Sequence, residues 1–220
     1  MTTLQRSSLL VLTVGILLMG LAAMPAYGQS PLEQWAEQQI SEKTGIDPQL
    51  LATLFVSTDD SQFILSFVFI NEEVMRSNLR EELKESIRPY VGERAMMAMI
   101  VPTQPSVFEP NAVSFAQNDA SFLLSSSAIH PITDGFKSGP VPSQEVNAGV
   151  LELPPELDIN QAFTIKYRSD FQTSFALGPP SGSGVGGSPG PQPIDRSEIQ
   201  NALLFLLQMI LAFFLFPFLI

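Results

Sequence analysis

The sequence predicts an α+β fold: an N-terminal helix, a β-hairpin, a helix and a strand, then an antiparallel β-rich, sandwich-like part, and finally a C-terminal transmembrane helix. Three observations predict it. Apolar residues recur with a period of about four in two stretches and fill both faces of short runs elsewhere. After Pro102 the chain breaks into short β-rich runs separated by glycine, proline and asparagine. From Leu203 to Ile220 it carries no charged side chain at all, which is what crossing a hydrocarbon core demands of about 18–20 helical residues.

In order, residues 1–28 read as a secretory signal. Arg6 gives a positive start, Leu9 to Ala23 an apolar middle, and Pro25 a break. Ala26-Tyr27-Gly28 supplies small residues for cleavage before Gln29, an uncleaved anchor being the alternative. An exported domain then runs over 29–177. Ser30 is placed to cap its first helix, with Pro31 at the first helical position and Glu33 completing a capping box. Leu32, Trp35, Ala36 and Ile40 share a face, and Gly45 supplies the stop.

Leu50 to Val56 and Gln62 to Ile70 flank the polar break Ser57-Thr58-Asp59-Asp60-Ser61 and predict a hairpin. The second run is apolar on both faces, as a strand covered on both sides must be. Asn71 is a natural cap for one helix ending at Pro89. Met75, Leu79, Leu83 and Ile87 form its apolar ridge. Arg76, Arg80, Lys84 and Arg88 form a basic ridge, with Glu73, Glu81 and Glu85 placed for i,i+3 pairs. Ala95 to Val101 predicts a buried strand closed by Pro102. Ala112 to Ala116, Ser121 to Ser126, Gly149 to Leu153, Phe163 to Arg168 and Phe171 to Leu177 predict further strands, with Asn118-Asp119 a hairpin tip. The run Phe136 to Tyr167, with its turns between short strands, resembles immunoglobulin-type extracellular modules in architecture, a resemblance that implies no function.

Residues 178–193, almost wholly glycine, proline and serine, predict a disordered linker, with a span of roughly 20–25 Å as a flexible coil. Residues 194–220 predict the membrane anchor. A signal for lipid-anchor attachment at Gly186, Gly187 and Ser188 is the competing reading of the tail.

Charge and composition narrow the function. The formal net charge is −11, and so acidic a body is a poor partner for nucleic acid, whose phosphates demand clustered lysine and arginine. Cysteine is absent, which removes disulfides, thiolate catalysis and thiolate metal sites. His130 is the lone histidine; it falls in a predicted loop near Ser125, Ser126 and Ser127 with no recognisable nucleophile motif. A serine–histidine site there would need an orienting carboxylate. Met96, Met97 and Met99 are soft ligands by type, but their place in an apolar strand reads as core. Asp59 and Asp60 lack a calcium-loop pattern and read as a solvated turn.

The sequence therefore predicts no catalytic residue, cofactor or metal. Its candidate binding surface is the basic ridge of Arg76, Arg80, Lys84 and Arg88. The expected protein is a non-enzymatic binding or structural module on the extracytoplasmic side of the cell membrane, attached through Leu203–Ile220, with a protein partner. An accessory subunit of a membrane complex is the alternative, and a hydrolase built on His130 a third.

Overall fold

The computed structural model describes residues 31–177. The predicted signal, the Ser30 cap, the linker and the tail from 194 to 220 lie outside these residues. Among the described residues no helix is long and apolar enough to cross a membrane. They form a mixed α+β structure, mostly β, in which every strand pairing is antiparallel.

Helix α1 spans Pro31–Thr44. Ala36 and Ile40 are buried and Trp35 half-buried. Gly45 ends it as expected, at φ +72°, its N–H donating to the Ser41 carbonyl at 2.8 Å. That left-handed cap is nearly free of steric cost only for a residue without Cβ. The hairpin follows: β1 (Leu51–Ser57) and β2 (Gln62–Phe69) pair from Leu51 opposite Val68 to Ser57 opposite Gln62.

The single helix expected after Asn71 is instead two. Asn71 does cap the first, accepting from the N–H groups of Glu73 and Val74, but α2 covers only Glu72–Arg76 and α3 only Glu81–Ile87. The break has a local cause. The Ser77 hydroxyl donates to the Val74 carbonyl at 2.6 Å, and the Asn78 N–H donates to the Thr44 carbonyl, also at 2.6 Å. Short polar side chains offer the backbone an alternative to helix, and here the end of α1 takes up the freed donor. The apolar ridge adjusts accordingly. Leu79, Leu83 and Ile87 are buried as predicted, while Val74 takes the buried place expected of Met75, which is half-buried.

Strand β3 (Ala95–Pro102) is buried along its whole length. Beyond it come β4 (Ser106–Phe108), β5 (Val113–Gln117), β6 (Ala120–Leu123), β7 (Ile129–Pro131), β8 (Gly139–Val141), β9 (Asn147–Glu152), β10 (Phe163–Tyr167) and β11 (Phe171–Phe175). The five predicted runs correspond to β5, β6, β9, β10 and β11. Strands β4, β7 and β8 were not predicted: each has three residues, too few for a period, and β7 and β8 contain proline. The run Phe136 to Tyr167 contributes β8, β9 and β10 to three different sheets.

The sheets are ordered β1-β2-β3-β9-β7, β11-β10-β5-β6 and β4-β8. The five-stranded sheet is covered on both faces. From one face Phe63 meets the Tyr167 ring edge-on at 5.3 Å, and Phe69 stacks on Phe175 at 6.1 Å, so the four-stranded sheet packs there. Strand alternation puts His130, opposite Val150, on the other face. There the Tyr90 ring, just after α3, lies 5.3 Å from it. Gly149 in β9 leaves room for the Phe136 ring, which a Cβ would meet at 2.2 Å. These contacts join the two sheets and the helices in one core.

Candidate functional site

The basic ridge is divided by the break between α2 and α3. Arg76 lies exposed at the end of α2, beside an open groove of about 540 Å³ that it shares with Arg94 and the acidic Glu72, Glu73 and Glu93. Arg80 is half-buried at the start of α3. Lys84 binds Glu81 at 2.9 Å, and its side chain is only 12% exposed. Arg88 binds Glu85 at 2.8 Å. The hydrogen bond and charge of Arg88 hold the Glu85 carboxyl below the usual carboxylate range, and Glu85 raises Arg88 in return. Two of the three predicted i,i+3 pairs are thus present. Glu73 with Arg76 forms no ion pair among the described residues.

His130 lies on β7 rather than in the predicted loop. Its Nε2 is 2.7 Å from Glu152 Oε1, on the adjacent strand β9. The nearby serines do not complete a relay: Ser125 Oγ and Ser127 Oγ are 2.9 Å apart and bonded to one another. The methionines of β3 are all buried, with Met97 and Met99 opposite Val150 and Ala148, and Met96 on the other face opposite Leu151. Asp59 and Asp60 are exposed in the turn closed by Thr58 N–H to the Ser61 carbonyl at 2.8 Å. Among the described residues no cluster of three or more histidine, aspartate or glutamate side chains is placed to hold a metal.

The feature that reasoning from sequence did not identify is the outer edge of the four-stranded sheet. An unpaired strand edge offers backbone N–H and C=O groups to any passing chain, and proteins usually blunt such edges. Of the four edges of the two larger sheets, three are blunted here. Strand β1 lies beside α1 on one side and β11 on another, so those two edges close against each other. Strand β7 is three residues long and ends in Pro131. Strand β6, though only four residues long, contains no proline. No charge and no proline occurs from Ala120 to Ile129, and Leu123 is 78% exposed.

The geometry of the edge follows from its turn. Asn118 and Asp119, with φ of 48° and 65°, make a two-residue turn between Gln117 and Ala120, which face each other in register. Alternation then gives the hydrogen bonds of β5 to Ala120 and Phe122, and leaves the N–H and C=O of Ser121 and Leu123 pointing outward. Phe122 packs on the core, and Leu123 projects from the opposite side.

Beyond Leu123 the edge opens into a cleft of about 300 Å³, lined by Leu124, Ala128, Leu153, Pro154 and Pro155, with the exposed Glu152 and Glu156 at its margin. Two long side chains hold the far wall in place. Arg94 donates to the carbonyls of Pro154 and Leu157. Gln117, buried at the base of the β6 turn, donates to the Asp158 carbonyl at 2.8 Å and accepts from the Asp158 N–H at 2.8 Å. Asn160 and Gln161 bond the Asp158 carboxylate, which lowers its pKa. Edge and wall are therefore fixed to each other through Gln117.

Compared with protein-family models, with curated proteins and with solved structures, the chain matches none of them.

Proposed function

We propose that this chain is an exported, non-enzymatic binding module held on the extracytoplasmic side of the cell membrane. Its membrane attachment is the uncharged tail Leu203–Ile220, and its binding element is the outer edge of β6. The observation that carries the reading is that edge: outward backbone groups at Ser121 and Leu123, with no charged residue or proline in the strand. Strand addition is an established way for one chain to capture another, the backbone supplying affinity and flanking pockets selecting side chains. Strand β6 is already extended and paired with β5 before any partner arrives, which lowers the ordering cost of binding.

Amide hydrogen exchange tests this on the full chain. In purified protein the Ser121 and Leu123 amides are expected to exchange fast, and in native membranes slowly. Equal, fast exchange of both amides in native membranes would count against the reading. The attachment has its own test. Truncation after Pro193 should release a folded domain into the soluble fraction at moderate salt; retention in the membrane pellet would refute an anchor in the tail.

A further inference from the structure

We infer that the segment received by β6 is an extended stretch of another protein carrying an apolar side chain flanked by a lysine or arginine. This rests on the β6 edge acting as a docking strand, as proposed above, and adds the chemistry of what docks. Strand β6 supplies no charge of its own, so the selective charges are those around it: Lys166 lies two strands in, in the row Lys166–Ser114–Leu123, and carboxylates stand at both ends of the strand. At the cleft end stand Glu152 and Glu156, and at the turn end Asp119, all exposed. Glu152 shares an oxygen with His130. Glu156 makes no ion pair among the described residues. Arg94, the cation whose side chain reaches the cleft wall, donates to backbone carbonyls there.

An incoming strand paired to Ser121 and Leu123 lays one side chain beside Leu123, and its end nearer the cleft passes over a lining that mixes Leu124, Leu153 and Pro154 with Ser125, Ser127 and the two glutamates. A basic residue there has an aliphatic stem to cover Pro154 and Leu124 and a cation to reach Glu156. Two other occupants fit less well. A second copy brings the same three carboxylates to the same edge, on a body of net charge −11, so like charges oppose it. The chain's own tail Leu203–Ile220 has no basic side chain to offer.

Fluorescence anisotropy of the full chain in mild detergent provides the test. The probes are labelled peptides of alternating valine and threonine flanked at both ends by two lysines, two serines or two glutamates. The lysine peptide should bind at least about tenfold more tightly than the glutamate peptide, a factor worth roughly 1.4 kcal/mol. Glu156→Gln should shrink that ratio, while Glu93→Gln, outside the cleft, leaves it unchanged. Leu123→Pro removes an N–H that points away from β5 and should abolish binding of all three peptides. Leu123→Lys leaves the backbone intact and should reverse the charge preference, which keeps the test sound if the proline variant misfolds. Equal affinity for the lysine and glutamate peptides would overturn the basic segment while leaving the edge as a docking strand. No binding of any peptide would overturn the docking strand itself. Self-association lost in Leu123→Lys would identify a second copy as the occupant. Competition by a peptide of residues 203–220 would identify the tail. Either result overturns the proposed partner.

Discussion

Strands β2 and β6 are both apolar and both paired antiparallel, yet the fold treats them in opposite ways. Strand β2 is flanked by β1 and β3 and buried from Phe63 to Phe69, while β6 has one neighbour and shows Leu123 to solvent. Strand β2 gives both its edges and both its faces to the fold, whereas β6 gives one edge and the face that carries Phe122. At β6 the same chemistry is left over, and the proposed recognition rests on it.

The largest break in that contrast should come from Phe67→Ala in β2, where a fully buried ring is lost. Denaturant unfolding should show about 3–5 kcal/mol of destabilisation. Gln117→Ala attacks the junction between β6 and the cleft wall, leaving the Asp158 N–H without its partner. A loss of about 1–3 kcal/mol is expected, with faster exchange of the Asp158 amide as the specific sign. The buried face can also be improved. Thr53 Oγ1 and Ser66 Oγ lie opposite one another on β1 and β2, buried and without a hydrogen-bond partner. Thr53→Val combined with Ser66→Ala should stabilise by about 1–2 kcal/mol; a lower Tm in the double variant would show that these hydroxyls are satisfied.

Alkali should find the same buried region. Burial raises the Tyr167 pKa above its ordinary value, outweighing the Glu109 N–H that donates to its oxygen and the nearby Arg168 charge. As pH rises past about 10 the unfolded chain gives up this proton first. The unfolded state then binds fewer protons than the folded one, so stability falls from about pH 10 up through the raised pKa. Tyr167→Phe should flatten that part of the pH–stability curve. The smallest effect belongs to the edge. Leu123→Ser should change stability by no more than about 0.5 kcal/mol, and a larger loss would mean that the edge is structural.

The same contrast explains what could be read from the residues in order. The β1–β2 hairpin, the Asn118-Asp119 turn and the Gly45 stop were legible because their causes lie within a few residues. The break at Ser77–Asn78 was not, because it depends on the Thr44 carbonyl arriving from α1. His130 could not be matched to Glu152 without the register that sets His130 opposite Val150. Strand β6 itself was legible; its being an edge was not. That property belongs to the order β11-β10-β5-β6, and no stretch of the chain contains it.

The strand order β3-β9-β7 also has a consequence in time. A chain made from its N-terminus completes β1, β2 and β3 as neighbours, each able to pair with the one before. Strand β3, Ala95 to Pro102, contains no polar side chain, and its second edge must wait for β9. Until Asn147–Glu152 has been made, the most hydrophobic ladder in the protein stands open beside a growing chain, and β7, though made earlier, has nothing to pair with. Nascent chains halted before Asn147 are therefore expected to aggregate more readily than chains that have completed β9.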